Sequence, residues 1–318
     1  MLTAAVWFLL AAVSPERPVE VTRARFLMGT VCEITSSSGD QTEAAFAEAA
    51  RVERELLSTW KTGTELERLN ASGSAEVSPE LWTLLSVAAQ WSERTGGAFN
   101  PLVRPLIDCW KTRGAGALPS AGELAAARAK AAPGNLTFPS ARSIALLNGA
   151  AVEEGAFGKG YALDRMLEAF KGSPAVVLNF GGQIAVSGRT EVTIADPSRR
   201  DQAVARLELT DASLSTSSGS ERSFTIRGRT FSHILDARSG EALPPRGSVS
   251  VIATSGLEAD ILSTALYVMG TEEGLRWSNA HGVAAAFVDL DRSVHLSHEF
   301  LRRADGFAMM DSHFHIKE

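Results

Sequence analysis

Residues 175–209, AVVLNFGGQIAVSGRTEVTIADPSRRDQAVARLEL, decide the fold class of this chain. Within this stretch, short runs that alternate apolar and polar residues are separated by glycine-rich or polar breaks, and the runs cover 175–179, 184–187, 191–195 and 204–209. Such runs are typical of β-strands joined by turns. We therefore predict an antiparallel meander in this part of the chain.

Helical patterns lie on both sides of these strands. Apolar residues recur with helical spacing at 42–57, 79–94, 160–171 and 257–269, and a Ser120–Glu123 capping box opens a further alanine-rich helix. Other predicted strands are 249–253, 283–290 and 294–296. The stretch 21–35 is predicted to be either a pair of strands or one bent strand. The proline- and glycine-rich segment 100–116 is predicted to be a loop or short turns. Because strands and helices are partly segregated, we predict an α+β fold in which antiparallel sheets are flanked by helices.

Composition excludes several classes of protein. The chain has 318 residues, of which 45% are hydrophobic and 21% charged, as in globular proteins. The net charge of −6 argues against nucleic acid as the main partner, and no apolar run is long enough to predict a stable membrane span. Cys32 and Cys109 are too few for a disulfide scaffold, so we predict two small buried thiols, with a disulfide between them as the alternative.

The first residues favour export. Residues 2–13 are almost wholly apolar and are followed by Ser14-Pro15, which is the length and ending of a secretory signal peptide, although no Lys or Arg precedes the run. We predict a signal peptide at 1–18, a single domain at 19–318 and an exported, periplasmic protein. The alternative is a buried first helix of a cytoplasmic domain.

Asp260 and Thr264 form the sharpest pair of candidate site residues. They stand four residues apart on an otherwise apolar helix, so their side chains share one face. A buried carboxylate needs a partner, and a divalent cation such as Mg²⁺ prefers oxygen ligands of this kind. The alternative is an Asp that caps a helix or pairs with an Arg, and a Thr bonded to its own helix.

Three other motifs are weaker by themselves. Glycines in GAFGKG (155–160) precede a helix and can present N–H groups to a phosphate, or they simply serve a turn. His233 lies in a polar cluster that could orient its side chain, although a single His is more often structural than catalytic. Trp60 can stack on a planar ligand or belong to the rim of the core. The hydroxyl-rich stretch 215–222 is predicted to be a loop, and the C-terminal histidines are not expected to form a metal site.

Seven segments, taken in order, resemble the ApbE family of FAD:protein FMN transferases. They are FLMGTVCEIT, LSTWKTGTELERLN, TGGAFNPLVRPL, GAFGKGYALDR, VLNFGGQIAVSG, SERSFTIRGRTFSHILDARSG and SVSVIATSGLEADILSTALYVMG. The resemblance as a whole covers about Phe26 to Phe300, most of the chain. The resemblance implies a T-fold-like α+β architecture with a cleft for FAD and for Mg²⁺ on its pyrophosphate. It also implies that FMN passes to a threonine of an acceptor flavoprotein, such as a subunit of a redox complex, and that AMP leaves.

The resemblance also assigns roles to residues. It implies Mg²⁺ ligation by Asp260, Thr264 and the backbone carbonyl of Gly158, and proton transfer by His233, with Asp260 able to share that task. Flavin contacts would come from Met28, Trp60, Ala98, Phe99 and Asn100, with Lys159 or Tyr161 close to the cofactor. Two alternatives stay open at this point: a pyrophosphatase that hydrolyses FAD to FMN and AMP, and a flavin-binding protein without turnover.

The chain departs from the family pattern in four places. Asn100 stands where an Asp is usual, EEGAFGKG stands for DLGGIAKG, Gln183 replaces an Asp, and DARSG (236–240) replaces DPRTG. Three of these changes lose or shift a carboxyl group near the expected cofactor. They therefore put FAD affinity and metal stoichiometry in question.

Overall fold

A computed structural model of the chain describes residues 20–173 and 175–317. The predicted signal peptide at 1–18 lies outside these residues. The helices are α1 (Gly39–Arg51), α2 (Glu65–Ser72), α3 (Pro79–Arg94), α4 (Arg104–Trp110), α5 (Ala121–Lys130), α6 (Gly158–Leu167), α7 (Gly256–Met269), α8 (Thr271–His281) and α9 (His298–Arg303). A π-helical turn, Val52–Leu57, extends α1, and short 3₁₀ turns cover Pro133–Asn135 and Glu168–Phe170.

The strands build one large sheet and several small ones. The strands are β1 (Val21–Leu27), β2 (Thr30–Ser36), β3 (Ser74–Glu76), β4 (Leu136–Ser140), β5 (Ser143–Leu146), β6 (Val176–Phe180), β7 (Gln183–Ser187), β8 (Arg189–Ala195), β9 (Ala203–Thr210), β10 (Ser213–Ser218), β11 (Ser223–Ile226), β12 (Arg229–Ser232), β13 (Leu235–Asp236), β14 (Glu241–Ala242), β15 (Ser248–Ala253), β16 (Ala284–Val288), β17 (Ser293–Leu296), β18 (Asp305–Met309) and β19 (His315–Ile316). In the described residues the large sheet has the order β1-β2-β6-β7-β10-β15-β16-β17-β19. All its pairs are antiparallel except β17 with β19.

The meander prediction is correct for the hairpins and wrong for their connection. β6 pairs with β7 and β8 pairs with β9, both antiparallel. However, β7 pairs next with β10, whereas β8 and β9 form a separate sheet with β18. Gly188, with a φ of +83°, lies between β7 and β8, and its left-handed backbone redirects the chain out of the large sheet.

The first two strands form a hairpin, so the strand-pair interpretation of 21–35 is correct and the bent strand is not. β1 and β2 pair from Val21–Ser36 to Leu27–Thr30. The connecting residues Met28 and Gly29 have φ values of +45° and +76°. Positive φ at both central residues is the requirement of a type I′ two-residue turn, and this turn holds Met28 at the end of the sheet.

The loop predicted at 100–116 contains helix α4. Pro105 lies in the first helical turn, where a missing N–H costs nothing, so the proline favours the helix start. Trp110 ends this helix, is buried, and donates its indole N–H to the carbonyl of Gly240 over 2.8 Å. The predicted helices at 79–94 and after the Ser120–Glu123 capping box are confirmed, and both capping-box hydrogen bonds form.

Helix α7 is the centre of the core. All but a few of its residues are buried, and it packs on α6, β10 and β15. An apolar helix between a sheet and a second helix has no solvent face, which explains its nearly continuous hydrophobic sequence. Its N-terminus is fixed by Asp164, whose carboxylate accepts hydrogen bonds from the backbone N–H groups of Gly256 and Leu257.

Both cysteines are free thiols, so the alternative of a disulfide is wrong. Cys32 is fully buried in β2, and burial raises its thiol pKa to about 12. Cys109 is only half-buried in α4, so the prediction of a buried thiol is correct for Cys32 and not for Cys109. Among the described residues we found no helix with the length and apolar character needed to cross a bilayer.

Candidate active site

A cleft of about 780 Å³ opens where the β1–β2 turn, the start of α6 and the central helix α7 meet. Nine of the predicted site residues line it: Met28, Trp60, Ala98, Phe99, Asn100, Lys159, His233, Asp260 and Thr264. They come from six separate parts of the sequence, so the fold brings together residues that no local pattern connects. The cleft volume is in the range of pockets that hold a cofactor-sized molecule.

Two predicted residues do not line the cleft. The Tyr161 hydroxyl donates to Glu80 Oε1 over 2.6 Å, within a network of charged groups on the outer side of α6. Of the pair Lys159 or Tyr161, it is therefore Lys159 that faces the cleft. Gly158 lies just behind the lining: a Cβ atom added there would be 3.4 Å from Met28 Cε and from Glu154 Cγ.

Asp260 is held at the contact between α6 and α7. It is only 2% exposed, and its Oδ2 accepts a hydrogen bond from the backbone N–H of Gly160 over 2.9 Å. A Cβ on Gly160 would lie 2.1 Å from the carbonyl oxygen of Gly256, so only glycine permits this close approach. In GAFGKG, Gly158 and Gly160 therefore belong to the helix itself, and Gly160 serves helix packing.

The carboxyl group of Asp260 has a raised pKa. Burial is the largest cause, because it removes water from the charged form, while the nearby Lys159 cation and the Gly160 N–H act in the opposite direction. The capping alternative is thus partly correct, since Oδ2 caps the first turn of α6. The pairing alternative is not: among the ion pairs of residues 20–173 and 175–317, none includes Asp260.

A network of hydroxyl groups surrounds Asp260. Ser215 Oγ lies 3.5 Å from Asp260 Oδ1, and Ser217 Oγ lies 3.3 Å from Thr264 Oγ1. Ser263 Oγ connects the two serines at 3.2 and 2.9 Å. The bond from Thr264 to Ser217 directs this hydroxyl away from its own helix and toward the strand beside it.

These serines correct the prediction of a loop at 215–222. Residues 213–218 form β10, a central strand whose side chains are almost all buried. Serines at 213, 215 and 217 share one strand face, and this period of two was the signal in the sequence that we missed. Thr216, Ser217 and Ser218 line the cleft and were not among the predicted site residues.

The donor set around Asp260 fits Mg²⁺. Asp260 Oδ1 has one distant partner, and the hydroxyl groups of Thr264 and Ser217 are neutral hard-oxygen donors beside it. Within the described part of the chain, no group of three or more His, Cys, Asp or Glu side chains is placed to hold a metal. A cation here would therefore depend on Asp260, hydroxyl and backbone carbonyl oxygens, and on oxygens of its substrate.

His233 is fixed in one orientation. Its Nδ1 lies 3.0 Å from the backbone carbonyl of Arg222, and because a carbonyl only accepts, Nδ1 carries the proton and Nε2 is left as the basic nitrogen. Desolvation is the main cause that lowers the pKa of His233; the hydrogen bond to the Arg222 carbonyl and the Glu221 carboxylate act in the opposite direction, and the positive charges of Arg222 and Lys159 lower it further. The imidazole is therefore neutral at pH 7.

Asn100 has a structural function that explains its departure from the family pattern. Its Nδ2 donates to the carbonyl of Ala131 over 2.8 Å, and its Oδ1 accepts from the N–H of Leu102 over 2.8 Å. A carboxylate could make only the second of these bonds and would face the Ala131 carbonyl with a second oxygen. The amide thus ties the 98–103 loop, which lines the cleft, to the end of α5.

The outer wall of the cleft is aromatic and charged. Trp60 is 61% exposed, and the guanidinium of Arg113 lies over its ring at 4.1 Å. Arg113 also donates to Glu153 Oε2 over 2.5 Å, so the cation is shared between a ring and a carboxylate. Arg113 and Glu153 were missed by the sequence analysis because each is a single residue in an irregular segment.

Glu154 is buried beside Glu153. Burial and the neighbouring Glu153 carboxylate raise the pKa of Glu154 to about 7. Its Oε1 accepts a hydrogen bond from the backbone N–H of Thr59 over 3.1 Å, while its Oε2 is buried without a hydrogen-bond partner among the described residues.

The NFGG segment (179–182) forms a tight turn between β6 and β7, with φ of +64° and +99° at Gly181 and Gly182. This turn places Gln183 at the cleft.

Comparison with known proteins identifies the family of the chain. The ApbE family model matches residues 28–287. A FAD:protein FMN transferase of Klebsiella pneumoniae is 29% identical over 248 residues, which are 76% of this chain and 78% of that protein. The enzyme of the same name from Treponema pallidum is 29% identical over 314 residues, 87% of each chain.

Solved structures share the fold. The flavinyl transferase ApbE of Pseudomonas stutzeri, in its apo form, superimposes with a TM-score of 0.79 at 26% identity, over 90% of this chain and 97% of that one. The ApbE protein of Thermotoga maritima gives a TM-score of 0.83 at 24% identity, over 90% and 99% of the two chains. The predicted α+β architecture is thereby confirmed. Because the family model matches residues 28–287, which are most of the chain, this chain belongs to the ApbE family.

Proposed function

We propose that this protein is an FAD:protein FMN transferase that cleaves the FAD pyrophosphate, releases AMP and transfers FMN to a threonine of an acceptor protein. The observation that carries the proposal is the arrangement of Asp260, Thr264, Lys159 and His233 around one cleft. Relatives that carry this name match the chain over most of its length. The chemistry needs groups that bind a diphosphate and a base for the acceptor's hydroxyl, and residues of the cleft can serve both purposes.

Mg²⁺ would be held by Asp260 and Thr264 together with a backbone carbonyl near Gly158. When bound, the ion would neutralise negative charge on the diphosphate, which otherwise repels a nucleophile. The protein contributes a buried carboxylate whose orientation is fixed by the Gly160 N–H. Lys159 adds a second positive charge on the same side of the cleft.

His233 is the candidate general base. A threonine hydroxyl is a weak nucleophile, and removal of its proton as the P–O bond forms lowers the barrier. Because Nδ1 is bound to the Arg222 carbonyl, Nε2 is the atom that would accept this proton. The protein supplies no nucleophile of its own in this scheme; it aligns the acceptor hydroxyl with the phosphorus atom and excludes water.

Incubation with FAD, Mg²⁺ and a candidate acceptor, followed by mass spectrometry, tests the proposal. We expect AMP in solution and an acceptor that carries covalent FMN on a threonine. AMP release at the same rate without an acceptor would favour the pyrophosphatase instead. FAD that stays bound and intact for hours with several acceptors would favour a flavin-binding protein without turnover.

We further propose that the protein is exported to the periplasm. The support is the apolar run at 2–13 with a break at Ser14-Pro15, which matches the length of a secretory signal. Expression of the full chain in a Gram-negative host, followed by fractionation and N-terminal sequencing, tests this. A full-length protein that stays in the cytoplasm would contradict it.

A further inference from the structure

The Glu154 carboxyl group is buried in the cleft wall without enough hydrogen-bond partners. The residue is 8% exposed and lines the cleft, and its Oε2 has no partner among the described residues. Leaving a buried polar atom unpaired is costly, so such atoms in a binding site indicate a group that a ligand satisfies.

The surroundings of Glu154 indicate which part of a ligand it meets. Its Oε1 is bound to the N–H of Thr59, the residue before Trp60. Its Cβ and Cγ lie beside Gly158, at the place where Met28 Cε also packs. The carboxyl group thus lies near Met28 and Trp60 and also near the Arg113–Glu153 ion pair, and the apolar and aromatic side chains at this end suit a planar ring rather than a phosphate or a polyol.

The chemistry of the flavin indicates which of its atoms Glu154 would contact. The oxidised isoalloxazine ring has one N–H donor, the imide N3–H, between two carbonyl acceptors. We propose that Glu154 is a flavin-binding residue whose Oε2 accepts a hydrogen bond from the N3–H of the isoalloxazine ring. The terminal torsion of a Glu side chain is soft, and the proposal requires a turn about it that brings Oε2 to the cleft surface and leaves Oε1 within hydrogen-bond distance of the Thr59 N–H. This inference rests on the proposed function, because that function makes FAD the occupant of the cleft.

Two substitutions separate this role from a structural one. Glu154→Leu replaces the carboxyl group by an apolar side chain and removes the acceptor. Glu154→Gln keeps the volume, but the Thr59 N–H requires the amide oxygen, so the NH₂ group would face the ring and could not accept from N3–H. Glu55→Leu makes the same chemical change at an exposed position outside the cleft and serves as the control.

The experiment measures the affinity for FAD and for 3-methyl-FAD by calorimetry at pH 8, without an acceptor protein, together with the melting temperature of the free protein. We expect both Glu154 variants to weaken FAD binding about tenfold. We expect 3-methyl-FAD, which lacks the donor, to bind the wild type and the variants equally. The Leu variant should melt no lower than the wild type, because it removes an unpaired buried atom.

The results of this experiment can contradict the Glu154 assignment and the proposed function separately. Equal losses for FAD and 3-methyl-FAD, or variants that bind FAD as tightly as the wild type, would overturn the assignment of Glu154 alone. A Leu variant that melts lower and binds both flavins less tightly would show a merely structural residue. A wild-type protein that binds FAD through Glu154 but releases no AMP with any acceptor would contradict the proposed transferase and leave the Glu154 contact intact.

Discussion

The backbone N–H of Gly160 donates to Asp260 Oδ2 over 2.9 Å and joins the first turn of α6 to the carboxylate of α7. The contact depends on two glycines that face each other, since a Cβ on either Gly160 or Gly256 would lie within 2.6 Å of the other's carbonyl oxygen. The packing of these two helices therefore sets the position of the candidate metal ligand. Stability and the geometry of the site are coupled at this point.

Gly160→Ala is expected to destabilise the protein by about 1–3 kcal/mol or more, because the new methyl group meets backbone atoms that cannot move aside. Urea denaturation of the purified protein measures this. Gly122→Ala is the control: this glycine lies in α5 with open space around its Cβ position, and alanine there should leave stability unchanged or slightly higher. Equal stabilities of the two variants would contradict the close-packing argument.

Asp260→Asn should abolish Mg²⁺-dependent AMP release, with a loss of about 10²-fold or more, while the fold persists. The amide oxygen can still accept from Gly160, and a neutral group avoids the desolvation of a buried charge. Thermal melting with FAD gives a second readout: Mg²⁺ should raise the melting temperature of the wild type but not that of the variant. An active variant with an unchanged response to Mg²⁺ would remove Asp260 from the metal site.

His233 should set the acidic side of the pH profile. A general base must be neutral, and the pKa of this histidine is lowered, so its neutral form persists to a lower pH than that of an ordinary histidine. The rate should rise with pH through a midpoint below about 6.5 and then level off. A midpoint well above 6.5 would be incompatible with the desolvated environment.

Removal of the imidazole tests the same assignment. His233→Ala should lower the rate of FMN transfer by roughly 10²–10⁴-fold and leave FAD binding nearly unchanged. The acidic limb should also disappear from the residual activity. A variant that keeps this limb would identify another group as the base.

Asn100→Asp, which restores the family's usual residue, should lower the free energy of unfolding by about 1–3 kcal/mol at pH 7. The carboxylate loses the donor to the Ala131 carbonyl and places a buried charge beside it. Asn279→Asp is the matched control, because the side chain is exposed and its oxygen can go on accepting from the N–H of His298. If both variants melt alike, the amide of Asn100 has no special structural function.

Local sequence patterns determined much of the secondary structure, and they also predicted that Asp260 and Thr264 lie together in the candidate site. The spacing of Asp260 and Thr264 put both side chains on one face of a helix, and α7 confirms this placement. The capping box at Ser120 and the helix at 79–94 also follow from short-range chemistry. In each case the determining contacts lie within four residues, so the sequence alone contains them.

The tertiary structure decided which segments meet. The alternation of apolar and polar residues predicted the hairpins β6–β7 and β8–β9. It does not indicate which strand pairs with the second edge of each hairpin, and β7 pairs there with β10 instead of β8. The positions of the Glu154 carboxyl group and of the serine hydroxyl groups beside Asp260 depend on contacts between residues 45 or more positions apart. Burial and missing partners are properties of the packed molecule, and for this reason the sequence could name the carboxylate of the site but not its environment.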